Sequence, residues 1–168
     1  MSGASIEIQV DDKLVRRAFA QLERLMDDTM PIMSATGTAL VASTHMRFVT
    51  QTDPDGQAWS ALNPAYAATK RNSRILTESG RLRDSINSEA GSDQVRVGTN
   101  AIYAAIHQFG GAIKPVSATH LIFRIGDRLV KADSVTLPGR PFLGISLEDE
   151  AEIAEIVFGF LERRSATR

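Results

Sequence analysis

Cysteine is absent from the 168 residues, which removes disulfides, thiolate nucleophiles and cysteine metal sites from consideration. Histidine is nearly as scarce: His45, His107 and His120 are spaced too widely to make a metal motif. Neither sign of charge dominates, with 19 Lys+Arg against 20 Asp+Glu and a formal net charge of -1. That balance gives no whole-molecule field for nucleic acid or a membrane surface, although a local basic face remains compatible with it. No apolar run approaches the roughly 20 residues that span a bilayer. The N-terminus lacks the basic and then apolar blocks of a signal peptide. The expectation is a soluble chain that acts where it is made, or in something assembled there.

What is present is ordinary for a globular protein: 43% hydrophobic and 23% charged residues. The length suits one domain. It divides into an N-terminal helical segment at about 11–50, an α+β core at about 59–145 and a C-terminal helix at about 146–164.

Taken in order, Ile6, Ile8 and Val10 alternate with polar residues as a strand does. Leu14, Val15, Ala18, Phe19, Leu22, Leu25 and Met26 then follow helical spacing. Pro31 suits the first turn of a second helix reaching about Val49, inside which Gly37 costs about 1 kcal/mol relative to Ala. Thr52-Asp53-Pro54-Asp55-Gly56 is a turn signal, and Trp59, the single tryptophan, follows it. Asn63-Pro64 starts a short helix, and Lys70, Arg71 and Arg74 form a basic cluster beyond it. Thr77 or Ser79 is positioned to cap a helix holding Leu82 and Ile86.

A hairpin is expected from 87 to 98. Asn100 should then cap a helix over 101–109 that buries Ile102, Ala105, Ile106 and Phe109 and ends on Gly110. Gly126-Asp127 predicts a second hairpin, with Leu121, Phe123 and Ile125 on one face of its first arm. Pro138 and Pro141 stiffen the segment 137–143. Ser146 and Asp149 form a capping box for a last helix whose buried stripe is Ile153, Ile156, Val157, Phe160 and Leu161. The fold class this pattern implies is α+β, a small antiparallel sheet of hairpins packed against several helices.

A serine hydrolase can be sketched from Ser79, His107 and Asp84, but Ser79 lacks the Gly-x-Ser-x-Gly elbow. Gly98, Gly110 and Gly111 lack the spacing of a dinucleotide fingerprint and suit a strand end and a helix cap. No catalytic, cofactor-binding or metal residues are therefore assigned, and no enzyme activity is expected. For Lys70, Arg71 and Arg74, a solvated segment and contact with an acidic partner or DNA both remain open.

Three stretches carry a likeness to a known family. They are Leu76-x-x-Ser79-Gly80-x-Leu82-x-x-Ser85-Ile86, then Val97-Gly98-Thr99-Asn100 leading to Tyr103-Ala104 and Phe109-Gly110, then Pro138-x-Arg140-Pro141-Phe142-Leu143. In this order they resemble the phage virion morphogenesis family, tail-completion proteins of Mu-like and related long-tailed phages. The resemblance implies a virion protein, assembled in the bacterial cytoplasm, that completes or terminates the tail and supports head–tail joining. It implies self-association as a ring, with six copies as the expectation, beside tail-tube and head–tail connector proteins. A ring subunit needs a heterologous surface rather than a pocket. Trp59, Phe109, Ile113, Arg140 and Phe142 are the candidate subunit-interface residues, with Arg140 suited to a neighbour's carboxylate. An assembly-associated hydrolase and a DNA-contacting neck protein are the alternatives.

Overall fold

Pro31 occupies the first turn of helix α1, Met30–Thr50, where a missing N–H costs nothing. The computed structural model describes residues 13, 16, 17, 20 and 28–166. The expected strand at 6–10 and most of the first amphipathic helix therefore lie outside the described residues. Helix α1 ends at Gln51, whose left-handed backbone (φ 60°) sends its N–H to the Arg47 carbonyl at 2.7 Å.

Short elements follow. Helix α2, Pro64–Ala67, is capped by Asn63, whose side-chain oxygen accepts from Ala65 N–H at 2.9 Å and Tyr66 N–H at 3.4 Å. Helix α3, Arg81–Asp84, starts at Gly80, and neither Thr77 nor Ser79 serves as its N-cap. It is a single turn, and Ile86 opens strand β1 instead of continuing it. The Ser85 hydroxyl bonds the Leu82 carbonyl at 2.7 Å and the Thr99 hydroxyl at 2.6 Å, tying the helix end to the neighbouring strand.

Strands β1 (Ile86–Ala90) and β2 (Val95–Thr99) form the first expected hairpin, with Ile86 opposite Thr99. Helix α1 lies against it. A Cβ on Gly37 would come within 2.8 Å of Ser88 Cβ and 2.9 Å of Val95 Cγ2. The glycine thus permits close helix–hairpin packing, a gain invisible to helix propensity.

Helix α4, Ala104–Phe109, begins later than expected. The Thr99 hydroxyl takes the Ala101 N–H at 3.1 Å, and Ala104 N–H bonds the Ala101 carbonyl at 2.9 Å, so residues 101–103 form a turn. That turn changes which face goes inward: Ala104 is buried, while Ile102 is 98% and Phe109 81% exposed. The expectation that Ile102, Ala105 and Phe109 pack into the core is corrected here.

Strand β3, Gly111–Ile113, pairs antiparallel with the distant strand β6, Val135–Leu137, in a register running from Gly111↔Leu137 to Ile113↔Val135. Neither strand was expected, because three residues are too few to show a period. Strands β4 (Leu121–Ile125) and β5 (Arg128–Ala132) make the second expected hairpin about Gly126-Asp127. The result is an α+β fold in which, among the described residues, the strands pair as three two-stranded sheets. Helix α5, Leu147–Ala166, lies against α1 and carries the expected half-buried stripe. Its capping box is formed as read: Asp149 accepts from Ser146 N–H at 2.8 Å, and Asp149 N–H reaches the Ser146 hydroxyl at 3.2 Å.

The core gathers Phe48, Trp59, Leu82, Ile86, Ala104 and Phe142. Phe48 is its centre, edge-on to Trp59 and tilted against Phe142, with both ring centroids at 5.4 Å.

Candidate functional site

The segment 138–144 has almost no regular structure, yet Phe142 is fully buried within it. Buried backbone without a ladder needs side-chain partners, and Trp59, Arg47 and Gln108 supply them. Trp59 Nε1 donates to the Pro141 carbonyl at 2.8 Å. Arg47 donates to the carbonyls of Phe142 at 3.1 Å and Gly144 at 2.9 Å. The Gln108 amide accepts from the Phe142 and Leu143 N–H groups, both at 3.0 Å, and donates to the Leu143 carbonyl at 2.8 Å. Arg140 sends its guanidinium to the carbonyls of Ser60 at 2.7 Å and Ala61 at 3.0 Å. Its own N–H meets the His107 carbonyl at 2.7 Å.

Glycine is required where these pieces cross. A Cβ on Gly110, at φ +72°, would lie 2.5 Å from Gly139 N and 2.9 Å from the Leu137 carbonyl oxygen. No side chain fits between the two backbones.

This arrangement revises the candidate interface. Trp59, Arg140 and Phe142 are buried and engaged within the chain. The Trp59 indole answers the backbone of the irregular segment, the Arg140 guanidinium answers that of residues 60–61, and Phe142 fills the core. Arg140 binds its own chain's carbonyls rather than a partner carboxylate. Phe109 and Ile113 do face outward. With Ile102 and Val116 they place four large apolar residues at the surface within a span of 15 positions.

Arg47 was absent from the sequence-based candidates. It is 5% exposed and pairs with the equally buried Asp149 at 2.5 Å, joining α1 to the first turn of α5. Burial pushes the Asp149 carboxyl up, but hydrogen bonds involving Ser43 and Ser146, with the Arg47 charge, hold it below the usual carboxylate range. The signal that could have found it is an arginine at helical spacing among buried positions, opposite an acidic capping residue.

A cleft of about 620 Å³ opens between α2, the segment 76–82, α4 and the β4–β5 hairpin. Ser79, Tyr103, His107 and Arg140 are among its lining residues. Burial lowers the His107 pKa, and the Arg140 charge lowers it further. Its Nδ1 is buried without a partner, and Tyr103 stands edge-on to the ring at 6.0 Å. Asp84 does not line this cleft; its carboxylate is 2.7 Å from Arg83 Nε. The Ser79, His107 and Asp84 grouping is therefore not assembled in this cleft. Among the described residues no cluster of His, Asp or Glu is arranged to hold a metal ion, and no helix is long and apolar enough to cross a membrane.

The basic cluster divides. Lys70 is consumed: its ammonium reaches the Thr77 carbonyl at 3.2 Å and the Glu78 carboxylate at 2.5 Å. The Lys70 hydrogen bond holds Glu78 below the usual carboxylate range. Arg71 and Arg74 remain exposed.

Comparison with known proteins adds a separate line of information. The sequence matches the Phage virion morphogenesis family over residues 10–162. It is 30% identical over 158 residues to the Putative capsid assembly protein G of Escherichia phage Mu, covering 90% of this chain and 91% of that protein. It is 29% identical over 160 residues to the Mu-like prophage FluMu G protein 2 of Haemophilus influenzae, covering 94% of this chain and 96% of the relative. No solved structure matches.

Proposed function

The chain belongs to the phage virion morphogenesis family, and from that premise we propose that it is a structural protein of the phage or prophage particle. In this reading it completes or terminates the tail and supports joining of tail to head. It acts as a ring of copies between tail-tube and head–tail connector proteins, built in the bacterial cytoplasm. Six copies is the expected number. The supporting observation is the exposure of large apolar residues in and around α4. Ile102, Phe109, Ile113 and Val116 lie exposed in a chain that has spent Trp59, Arg140 and Phe142 on holding itself together. The Mu relative's name, a capsid assembly protein, supports a role in building the particle.

Electron microscopy of particles made by a phage lacking this gene tests the assignment. Filled heads beside unjoined or irregular tails are expected. Intact joined virions would overturn the proposal, and arrest before head completion would move the role to capsid assembly. The exposed Arg71 and Arg74 favour a second reading, contact with DNA in the neck. It predicts duplex binding that weakens steeply with salt and weakens further in R71A/R74A.

A further inference from the structure

We propose that copies of this chain join head to tail, the outer face of the β4–β5 hairpin in one copy docking on the outward stripe of α5 in the next. The proposal rests on the ring reading above and specifies its contact surfaces.

The hairpin has two unlike faces. Phe123 and Ile125 are half-buried and line the cleft, which Arg124 also borders. The other face carries Ile122, Arg124, Leu129 and Lys131, all exposed. The register sets Ile122 opposite Lys131 and Arg124 opposite Leu129. Two apolar side chains and two cations therefore alternate diagonally on one small surface. A two-stranded hairpin is marginal alone, and covering this outer face would stabilise it.

Helix α5 presents the complementary pattern. Its inward stripe packs toward α1, yet Leu147, Ala151, Ala154 and Phe158 are all exposed on the opposite side. Their spacing of four, three and four residues is that of a seam made for another element. Glu148, Glu155 and Glu162 run beside it at seven-residue intervals. Among the described residues none of these three glutamates forms an ion pair, and neither does Arg124 or Lys131. One face thus mixes apolar groups with unpaired cations, and the other mixes apolar groups with unpaired carboxylates.

The two faces sit on different parts of the fold. Helix α5 lies on α1, whereas the hairpin turn at Gly126 comes against Thr69 beyond α2. A two-fold dimer through either face would set like charge on like charge. A head-to-tail contact sets cation against carboxylate, and heterologous contacts of that kind close into rings. A second copy is therefore the occupant the charges select.

Light scattering on the purified full-length chain and on charge-reversal variants tests this, with circular dichroism to confirm the native fold. The wild-type chain should give the mass of a closed oligomer that weakens as salt rises. Reversal of one face, as R124E/K131E or as E155K/E162K, should shift the mass toward the monomer. The fourfold variant R124E/K131E/E155K/E162K should recover the wild-type mass, because it restores opposite signs. Single-face variants that keep the wild-type mass overturn this pairing and leave the ring reading standing. So does a folded fourfold variant that stays dissociated. A wild-type chain that remains monomeric at every concentration overturns the ring reading, and this proposal with it.

Discussion

Arg47 makes the connections on which the segment 138–144 depends: two carbonyls of that segment and the Asp149 carboxylate at the start of α5. Substitution R47M keeps most of the side-chain volume but leaves Asp149 buried without its cation, so a loss of about 3–5 kcal/mol is expected in urea unfolding. Gln108 acts at the same segment as a piece of borrowed backbone. Q108A strands the N–H groups of Phe142 and Leu143, each costing about 1–3 kcal/mol. His107 gives a pH dependence whose sign follows from its environment. Burial, then the Arg140 charge, lowers its folded pKa below the ordinary 6.5. Below that pH the unfolded chain binds a proton that the folded chain resists. Its contribution is complete at neutral pH and is lost as acid passes from the ordinary value toward the lowered one. Urea midpoints measured across that window should fall with acid in the wild type and fall less in H107Q.

At the scale of elements, α1 and α4 show how a local rule is overruled by a neighbour. Propensity alone favours Ala over Gly at position 37 by about 1 kcal/mol. The contacts at 2.8 Å to Ser88 reverse that preference. G37A should therefore lower the midpoint of thermal unfolding, with overpacking costing about 1–3 kcal/mol before the propensity gain. Around α4 the apolar spacing of Ile102, Ala105, Ile106 and Phe109 predicts an amphipathic helix, but Ile102 falls in the preceding turn and much of the marked face is left open to solvent. The turn at 101–103, pinned by Thr99, brings Ala104 to the core instead. Phe109 is 81% exposed, so F109S should change stability by no more than about 0.5 kcal/mol while impairing particle assembly in complementation. A large stability loss would show that the ring is core after all.

Over the whole molecule, the irregular segment after β6 is where the pieces meet. It takes side chains from α1, from Trp59 and from α4, and it leads directly into α5. Of the stretches that resemble the family, the third lies in this junction, while the first two give the core Leu82, Ile86 and Ala104. The surfaces proposed for assembly are others: the exposed apolar residues around α4 and the oppositely charged faces of the β4–β5 hairpin and α5. Deleting the hairpin turn would confound folding with assembly, whereas charge reversal separates them.

The sequence by itself determined the α+β class, both hairpins, the start of α1, the capping box of α5 and the family. Each depends on periods, turn residues or caps that act over a few positions. The pairing of β3 with β6, the inward turn of Trp59, Arg140 and Phe142, and the partners of Lys70 and Arg47 were settled only in three dimensions. Arg140 shows why. An arginine between prolines in a loop suits display or burial equally well, and the choice falls to whether unpaired carbonyls lie within reach. Here the Ser60 and Ala61 carbonyls do, some 80 positions away along the chain, a distance no local pattern encodes.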